Sequence, residues 1–293
     1  MAVALLFAGC ATIDRGGDTA ALQQVMAASH RAALVVLTKM NQEELPYRID
    51  DGVNRSTFTK DDLGTLAPRD IDAWDRILCS LDDYCAALNT VASGDHPEEL
   101  VEACGALGAN MQSLAKAANL GAGSSAAGAE TALTEIGSIL LRVKAGVDVR
   151  QVARDADPAF QSVIHDLTGA LGFAGEPPAP APHGILATYE NDFQTHNAPR
   201  AKAFKDGAIA GFAQMDPTAK RESIQALIRW LGDQRDHDEF VGSIHDLVGA
   251  LHQAALAHQA LASGSDDSRA QAFARLKAEL GNVQAIYRKL TQG

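Results

Sequence analysis

Apolar residues recur at alternating spacings of three and four in one segment, and this pattern constrains the fold more than any other feature. The segment spans residues 71–92, where the apolar positions are Ile71, Trp74, Leu78, Leu81, Cys85, Leu88 and Ala92. After Gly94 the same spacing returns at Leu100, Cys104, Leu107, Met111, Leu114 and Ala118. Two amphipathic helices joined by a short turn bury such stripes against each other. We therefore predict an antiparallel helical hairpin that turns at Gly94-Asp95.

The remainder of the chain also indicates helix. Of its 293 residues 46% are hydrophobic but only 5% aromatic, and alternating β-branched runs typical of strands are nearly absent. Two later helices are predicted, with apolar faces at Ile224, Leu227, Ile228 and Leu231, and at Phe240, Ile244, Leu247, Val248, Leu251 and Ala255. We predict an all-α fold, a multi-helix bundle of antiparallel helical hairpins, with about two-thirds or more of the residues helical.

Short polar patterns predict where helices begin and end. Asp157-Pro158 and Asp216-Pro217 each place an N-cap acid before proline, and His96-Pro97 is followed by two glutamates. We expect helices to begin at these three places. Gly94 and Gly264 follow apolar runs, where glycine in a left-handed conformation would end a helix.

The proline-rich segment 175–183 is the expected boundary within the chain. It separates an N-terminal helical bundle, residues 11–174, from C-terminal helices, residues 184–293, which we expect to pack on the same bundle. A short echo relates residues 164–171 to residues 244–251, with seven of eight residues in common. Coincidence in an alanine-rich helical chain and a duplicated unit both explain this echo.

The first ten residues resemble the end of a lipoprotein signal. Leu5-Leu6-Phe7-Ala8-Gly9-Cys10 is an apolar run that closes on small residues and a cysteine. We predict that Cys10 is acylated with chains such as palmitate, and that the protein is anchored in a bacterial cell envelope on the periplasmic side. The first basic residue is Arg15, so the charged start of a signal is missing. Either translation begins upstream of Met1 or the apolar run is a chance feature.

Charge limits the partners of the chain. The formal net charge is −12, from 37 acidic and 25 basic residues, and this argues against binding to nucleic acid or to an anionic lipid surface. No segment reaches the ~18 apolar residues that a spanning helix needs. The predicted membrane partner is therefore reached through the N-terminal lipid alone.

The cysteines suggest a disulfide rather than a metal site. The sequence has four cysteines, Cys10, Cys79, Cys85 and Cys104. No two of them are separated by exactly two residues, the spacing that is typical of zinc ligands. Cys85 and Cys104 are nearly symmetric about Gly94-Asp95, so the hairpin would bring them to the same height, and outside the cytoplasm they could pair. Two buried free thiols are the equally weighted alternative. Cys79 is expected to stay unpaired.

The nine histidines do not indicate a metal site either. His245 and His252 fall on the flank of a predicted helix, whereas His258 lies on its apolar stripe and is expected to be a hydrogen-bonded core histidine. Three or four convergent ligands would be needed for zinc. We predict no metal and no cofactor.

No catalytic motif appears in the sequence. A Gly-x-Ser-x-Gly elbow, a phosphate-binding glycine loop and a His-Glu-x-x-His motif are all missing. The acidic pairs Asp61-Asp62, Asp82-Asp83 and Asp266-Asp267 fall at helix ends or on polar faces, where solvated carboxylates are the rule. We therefore predict that the chain is not an enzyme.

Two functions remain, and they differ in one observable. A structural or protein-interaction role, with an envelope protein as partner, requires a packed core and an exposed apolar patch. A periplasmic carrier of a small apolar ligand requires an enclosed cavity between helices. Small alanines pack helices tightly, which favours the first function.

Three short motifs carry a resemblance. Tyr84-Cys85-Ala86-Ala87-Leu88 with Ala92-Ser93-Gly94, then Tyr189-Glu190-Asn191 and a closing pair of alanine-rich helices, resemble a group of uncharacterised all-helical lipoproteins of proteobacteria. The resemblance implies an all-α, lipid-anchored protein and supplies no catalytic residues. In lipoproteins of well-studied bacteria an aspartate after the cysteine retains the protein in the inner membrane. Ala11 stands there, so the resemblance favours the outer membrane.

Overall fold

The computed structural model describes residues 15–55, 68–93, 105, 108, 126–144, 147–172, 184–203 and 211–292. Seven α-helices account for most of this part of the chain, in which 94% of the residues are helical and no strand occurs. The predicted all-α class is confirmed there. Among these helices none is both long and apolar enough to cross a membrane.

The helices differ widely in length. Their bounds are α1 Arg15–Arg55, α2 Pro68–Ser93, α3 Ala126–Leu140, α4 Val149–Leu171, α5 Gly184–Ala203, α6 Pro217–Ser263 and α7 Asp266–Gln292, and a 3-10 turn at Phe212–Gln214 precedes α6. With 47 residues, α6 is about 70 Å long at 1.5 Å per residue. Its C-terminal half lies within the bundle, where its buried residues begin at His237.

Polar contacts between helices fix their directions. The Thr19 hydroxyl donates to Asn89 at 3.0 Å, and His30 lies 2.7 Å from Asp75, so α1 and α2 are antiparallel. At the other end of the chain α6 and α7 form a hairpin around Gly264. Residues 56–67 between α1 and α2 lie outside the described residues, so the predicted bundle of antiparallel hairpins stays a prediction.

One continuous core joins the helices. Its buried apolar residues extend from Ala21 in α1 to Ile286 in α7, and α4 and α6 both contribute to it. Helices on both sides of the predicted boundary therefore share this core. The proline-rich segment 175–183 itself lies outside the described residues.

The predicted apolar stripe of α2 is confirmed. Trp74, Leu78, Leu81, Cys85 and Leu88 are buried, and Ile71 and Ala92 are partly buried at its ends. The facing stripe at Leu100–Ala118 and the turn at Gly94-Asp95 lie outside the described residues, apart from Gly105 and Gly108, which are helical. The predicted hairpin of residues 71–118 therefore stays a prediction.

The helix ends at either side of α6 agree only partly with expectation. Asp216 caps α6 as predicted, since its carboxylate accepts hydrogen bonds from the backbone N–H groups of Thr218 and Ala219. Gly264 ends the helix, but its φ of −70° and ψ of 151° are extended, so the predicted left-handed conformation is wrong. The extended conformation of Gly264 places Ser265 at the start of α7, where its hydroxyl caps the helix by accepting a hydrogen bond from the backbone N–H of Ser268.

A helix start at Asp157-Pro158 is also wrong. The helix begins at Val149, where Asp148 accepts a hydrogen bond from the backbone of Arg150, and Pro158 lies inside α4. Proline there leaves the Arg154 carbonyl without its usual partner, but Arg154 is exposed, so water can take that place. The helix start predicted at His96-Pro97 lies outside the described residues.

The internal echo has a structural counterpart. His258 contacts Asp157 and the carbonyl of Ala255 accepts from Gln161, so α4 and α6 run antiparallel. This register, continued along both helices, sets residues 164–171 directly opposite residues 244–251. Similar octapeptides therefore pack face to face, and the buried side chains are Ile164, Leu167, Leu171, Ile244, Leu247 and Leu251.

Candidate functional site

A hydrogen-bonded network lies in the core where α2, α4 and α6 meet. The Tyr84 hydroxyl is 2.8 Å from His258 Nε2, and His258 Nδ1 is 2.8 Å from Asp157 Oδ1. Gln161 donates to the same Asp157 oxygen at 3.1 Å and to the Ala255 carbonyl at 2.8 Å. Phe160 stacks on the imidazole, with ring centroids 4.3 Å apart. We call Tyr84, His258, Asp157 and Gln161 the core network.

Burial sets the protonation states of the core network. Removal of water lowers the pKa of His258 despite its hydrogen bond to Asp157, and it raises the pKa of Tyr84 well above its usual range. Burial also acts to raise the pKa of Asp157, but hydrogen bonds from His258 and Gln161 outweigh it and the pKa is lowered. A neutral imidazole with its proton on Nδ1 satisfies both bonds, since Tyr84 then donates to Nε2.

The centre of the core network lacks access for a solute. Tyr84 and His258 are fully buried, whereas Asp157, at 19% of its side chain, and Gln161 are partly exposed. Such a network fixes the register of three helices, because each polar atom is satisfied only in this arrangement. The prediction that His258 is a hydrogen-bonded core histidine is confirmed, whereas its partners Tyr84 and Asp157 were not predicted.

The other predicted residues lie apart from the core network or outside the described residues. His245 and His252 are exposed on α6, and the described chain contains no group of three potential metal ligands. Cys85 is a buried free cysteine, and burial raises its pKa well above the usual thiol range. Cys10 and Cys104 lie outside the described residues, so the lipid and the disulfide stay predictions. Cys79 is free and partly buried.

The acidic pairs occupy ordinary positions. Asp266 and Asp267 are exposed in the first turn of α7, and Asp83 is exposed on α2. Asp82 is half-buried, and burial raises its pKa. The pair Asp61-Asp62 lies outside the described residues.

A second buried histidine was missed by the sequence analysis. The ring of His237 in α6 stacks on Phe193 at 3.5 Å and on Tyr189 at 5.1 Å between centroids, which docks α5 on the bundle. The Tyr189 hydroxyl also donates to Glu43 of α1 at 2.7 Å. Burial lowers the pKa of His237. His237 lies before the apolar face of α6, which begins only at Phe240, so the spacing of apolar residues gives no signal for it.

The predicted apolar face at residues 224–231 is not part of the core. Ile224, Ile228 and Leu231 are 45%, 63% and 51% exposed, and we call these three residues the outer stripe. Phe240, the first large apolar residue of the core-facing side, lies about 160° around the helix from Ile224 at 100° per residue. The outer stripe therefore points away from the bundle that buries the second half of α6.

Open grooves follow the seams between neighbouring helices. One of about 230 Å³ lies between α1 and α7 beside Ala28 and Tyr287, and another of about 390 Å³ follows it beside Val35 and Leu290. A third, of about 320 Å³, lies between α6 and α7 beside Glu239 and Lys289. All three are surface features, open to solvent along one side.

Comparison with known protein families, with characterised proteins and with solved structures found no match to this chain.

Proposed function

We propose that this chain is a helical protein of the bacterial cell envelope that is lipid-anchored at Cys10 and serves a structural or protein-interaction role. The observation that carries the interaction role is the outer stripe of α6. Contiguous exposed apolar residues on a folded protein mark interaction sites more often than scattered ones do. Three large aliphatic side chains spaced by four and three residues form such a group.

The geometry of α6 supports a partner from outside the bundle. The first half of α6 has a polar side that includes Glu222, Arg229 and Asp233. This polar side lies at the same angle around the helix axis as the core-facing side of the second half. Rotation of the helix to bury the outer stripe would expose Phe240 and Ile244, which are now buried. A separate surface is therefore needed to cover the outer stripe.

The anchor rests on the sequence alone. The apolar run and Ala8-Gly9 before Cys10 favour acylation, and two or more acyl chains give stable attachment to a membrane. The three grooves described above are open, whereas a carrier encloses most of its ligand. They give no support to the alternative function of carrying a small apolar ligand.

Site-specific photocrosslinking tests the interaction. A benzophenone amino acid replaces Ile228 in the full-length protein within its native envelope, and the matched control carries it at Arg229, exposed on the next position around α6. We expect a discrete product of higher mass from position 228, absent at 229 and lost when Ile224→Lys is added. Equal products at both positions, or none at 228, would contradict the role of the outer stripe.

Mass spectrometry of the envelope fraction tests the anchor independently. We expect acylated Cys10 as the first residue of the mature chain, and Cys10→Ser should release the protein from membranes. A soluble product that retains an unmodified Met1 would exclude the anchor and the envelope location together.

A further inference from the structure

The two α1–α7 grooves follow one another along the same seam. On α1 they are lined at residues 28, 31, 34, 35, 38, 39 and 42, which lie on one side of the helix. On α7 the lining residues Val283, Tyr287 and Leu290 are spaced by four and three residues. Since α1 and α7 run parallel, these stripes border a single channel about 20 Å long. We call it the α1–α7 groove.

Two contacts at different positions along α1 and α7 show that these helices run parallel. Arg269 near the start of α7 pairs with Asp18 near the start of α1 at 3.1 Å, and Val283 lies beside Ala28 further along. Both helices therefore rise together from their N-termini. The accessible apolar surface of the channel comes from partly buried Leu34, Val35 and Leu290 and from exposed Tyr287, and Ala28 and Val283 lie buried beneath it.

At one end of the α1–α7 groove Lys39 lies 3.8 Å from Glu43 of its own helix, whereas the other end carries two arginines. Arg31 and Arg288 line it from opposite helices, and both are exposed. Arg288 donates to the Gln284 carbonyl of its own helix, and neither guanidinium has a carboxylate at ion-pair distance among the described residues. The positive charge of Arg31 acts to lower the pKa of Asp82 in α2, but the two side chains do not form an ion pair. Two unpaired guanidinium groups thus flank an apolar surface.

The open shape selects the class of ligand. A small molecule binds where most of its surface is enclosed, which a channel open along its length does not provide. A helix needs only one side buried and presents apolar residues at spacings of three and four, as both walls of the groove do. Exposed Tyr287 and the two arginines belong to the residue types that dominate protein interfaces.

We propose that the α1–α7 groove binds an amphipathic helix of a partner protein that carries aspartate or glutamate at the end facing Arg31 and Arg288. The apolar side of this helix packs on Val35, Tyr287 and Leu290. Its carboxylates accept bidentate hydrogen bonds from the guanidinium groups. The span from Ala28 to Gln42 accommodates about 14 residues of such a helix. This surface is separate from the outer stripe.

A displayed library of helical peptides tests the proposal on the purified full-length chain. Apolar residues are fixed at spacings of three and four, and the remaining positions are random. We expect selected peptides to be enriched in aspartate and glutamate near one end. Arg31→Glu with Arg288→Glu should weaken their binding about tenfold or more, and peptides with lysine at the same positions should regain affinity for that double variant.

The controls separate this proposal from the interaction role of α6. Arg275→Glu alters an exposed arginine of α7 away from the groove and should leave peptide binding unchanged, as should Ile228→Glu in the outer stripe. Val35→Glu should abolish binding, and circular dichroism verifies that this variant folds. Failure to select any peptide, peptides without acidic enrichment, or peptides that bind Val35→Glu as well as the wild type would overturn the proposal. None of these outcomes bears on crosslinking from position 228.

Discussion

Replacement of Tyr84 by phenylalanine isolates one hydrogen bond of the core network. The variant keeps the ring that lies 5.8 Å from Phe160 and removes only the hydroxyl that donates to His258 at 2.8 Å. Because both residues are fully buried, no water replaces the lost donor. His258 Nε2 is then a buried acceptor without a partner.

The cost follows from that unsatisfied atom. Leaving a buried polar group unpaired costs about 1–3 kcal/mol of unfolding free energy, and the ring volume that remains avoids a large cavity term. A shift of the His258 proton to Nε2 gives no relief, since it would aim an imidazole lone pair at the Asp157 carboxylate. We therefore expect Tyr84→Phe to lower the unfolding free energy by about 2 kcal/mol.

Urea unfolding followed by circular dichroism at 222 nm measures this change. Tyr287→Phe is the matched control, because its hydroxyl is on a residue 39% exposed and its loss should change the unfolding free energy by less than about 0.5 kcal/mol. Equal stabilities of the two variants would refute the assigned role of the core network. A Tyr84→Phe variant as stable as the wild type would do so as well.

The remaining predictions concern pH, a buried ion pair and a helix contact. Because the pKa of His258 in the folded protein is below its ordinary 6.5, the unfolding free energy should be highest above pH 6.5 and should fall on acidification toward about pH 5.5. Urea titrations above pH 6.5 and at about pH 5.5 measure this fall, which should be smaller in His258→Gln. Arg269→Met removes the buried guanidinium that lies 3.1 Å from Asp18 and should lower the unfolding free energy by about 3 kcal/mol, whereas an unchanged urea midpoint would contradict this. Gly108→Ala places a methyl group 2.5 Å from a backbone oxygen of α3 and should lower the melting temperature. The methyl group of Gly249→Ala meets no atom within 4 Å, so this variant should raise the melting temperature. The reverse order would show that the contact of Gly108 with α3 is misplaced.

The periodic part of the fold was accessible from the sequence. The stripe of α2 is buried as predicted because a long run of spacings of three and four has few other solutions. His258 was placed in the core on the same basis, since it lies on the apolar side of α6. Its partners were not accessible, because Tyr84 lies 174 residues away and no local pattern encodes a contact at that separation.

The two Asp-Pro pairs show how tertiary structure overrides a local pattern. Asp216 caps α6 because its carboxylate faces the free N–H groups of Thr218 and Ala219. Asp157 has the same neighbour, yet its carboxylate binds His258 and Gln161 instead, and α4 continues through Pro158. The preceding turns of α4 bury Val149, Val152 and Ala153, so their burial extends the helix upstream of the proline. Local chemistry alone does not distinguish these two cases.

The outer stripe shows what periodicity omits. Residues 224–231 and residues 240–255 have equally good helical spacing, and spacing alone predicts that both are buried. Their phases differ by nearly half a turn, so a single straight helix cannot direct both toward one core. That conflict is present in the sequence once α6 is known to be continuous from Pro217 to Ser263. The extended helix α6 therefore buries one apolar side in its own bundle and leaves the opposed one, the outer stripe, exposed.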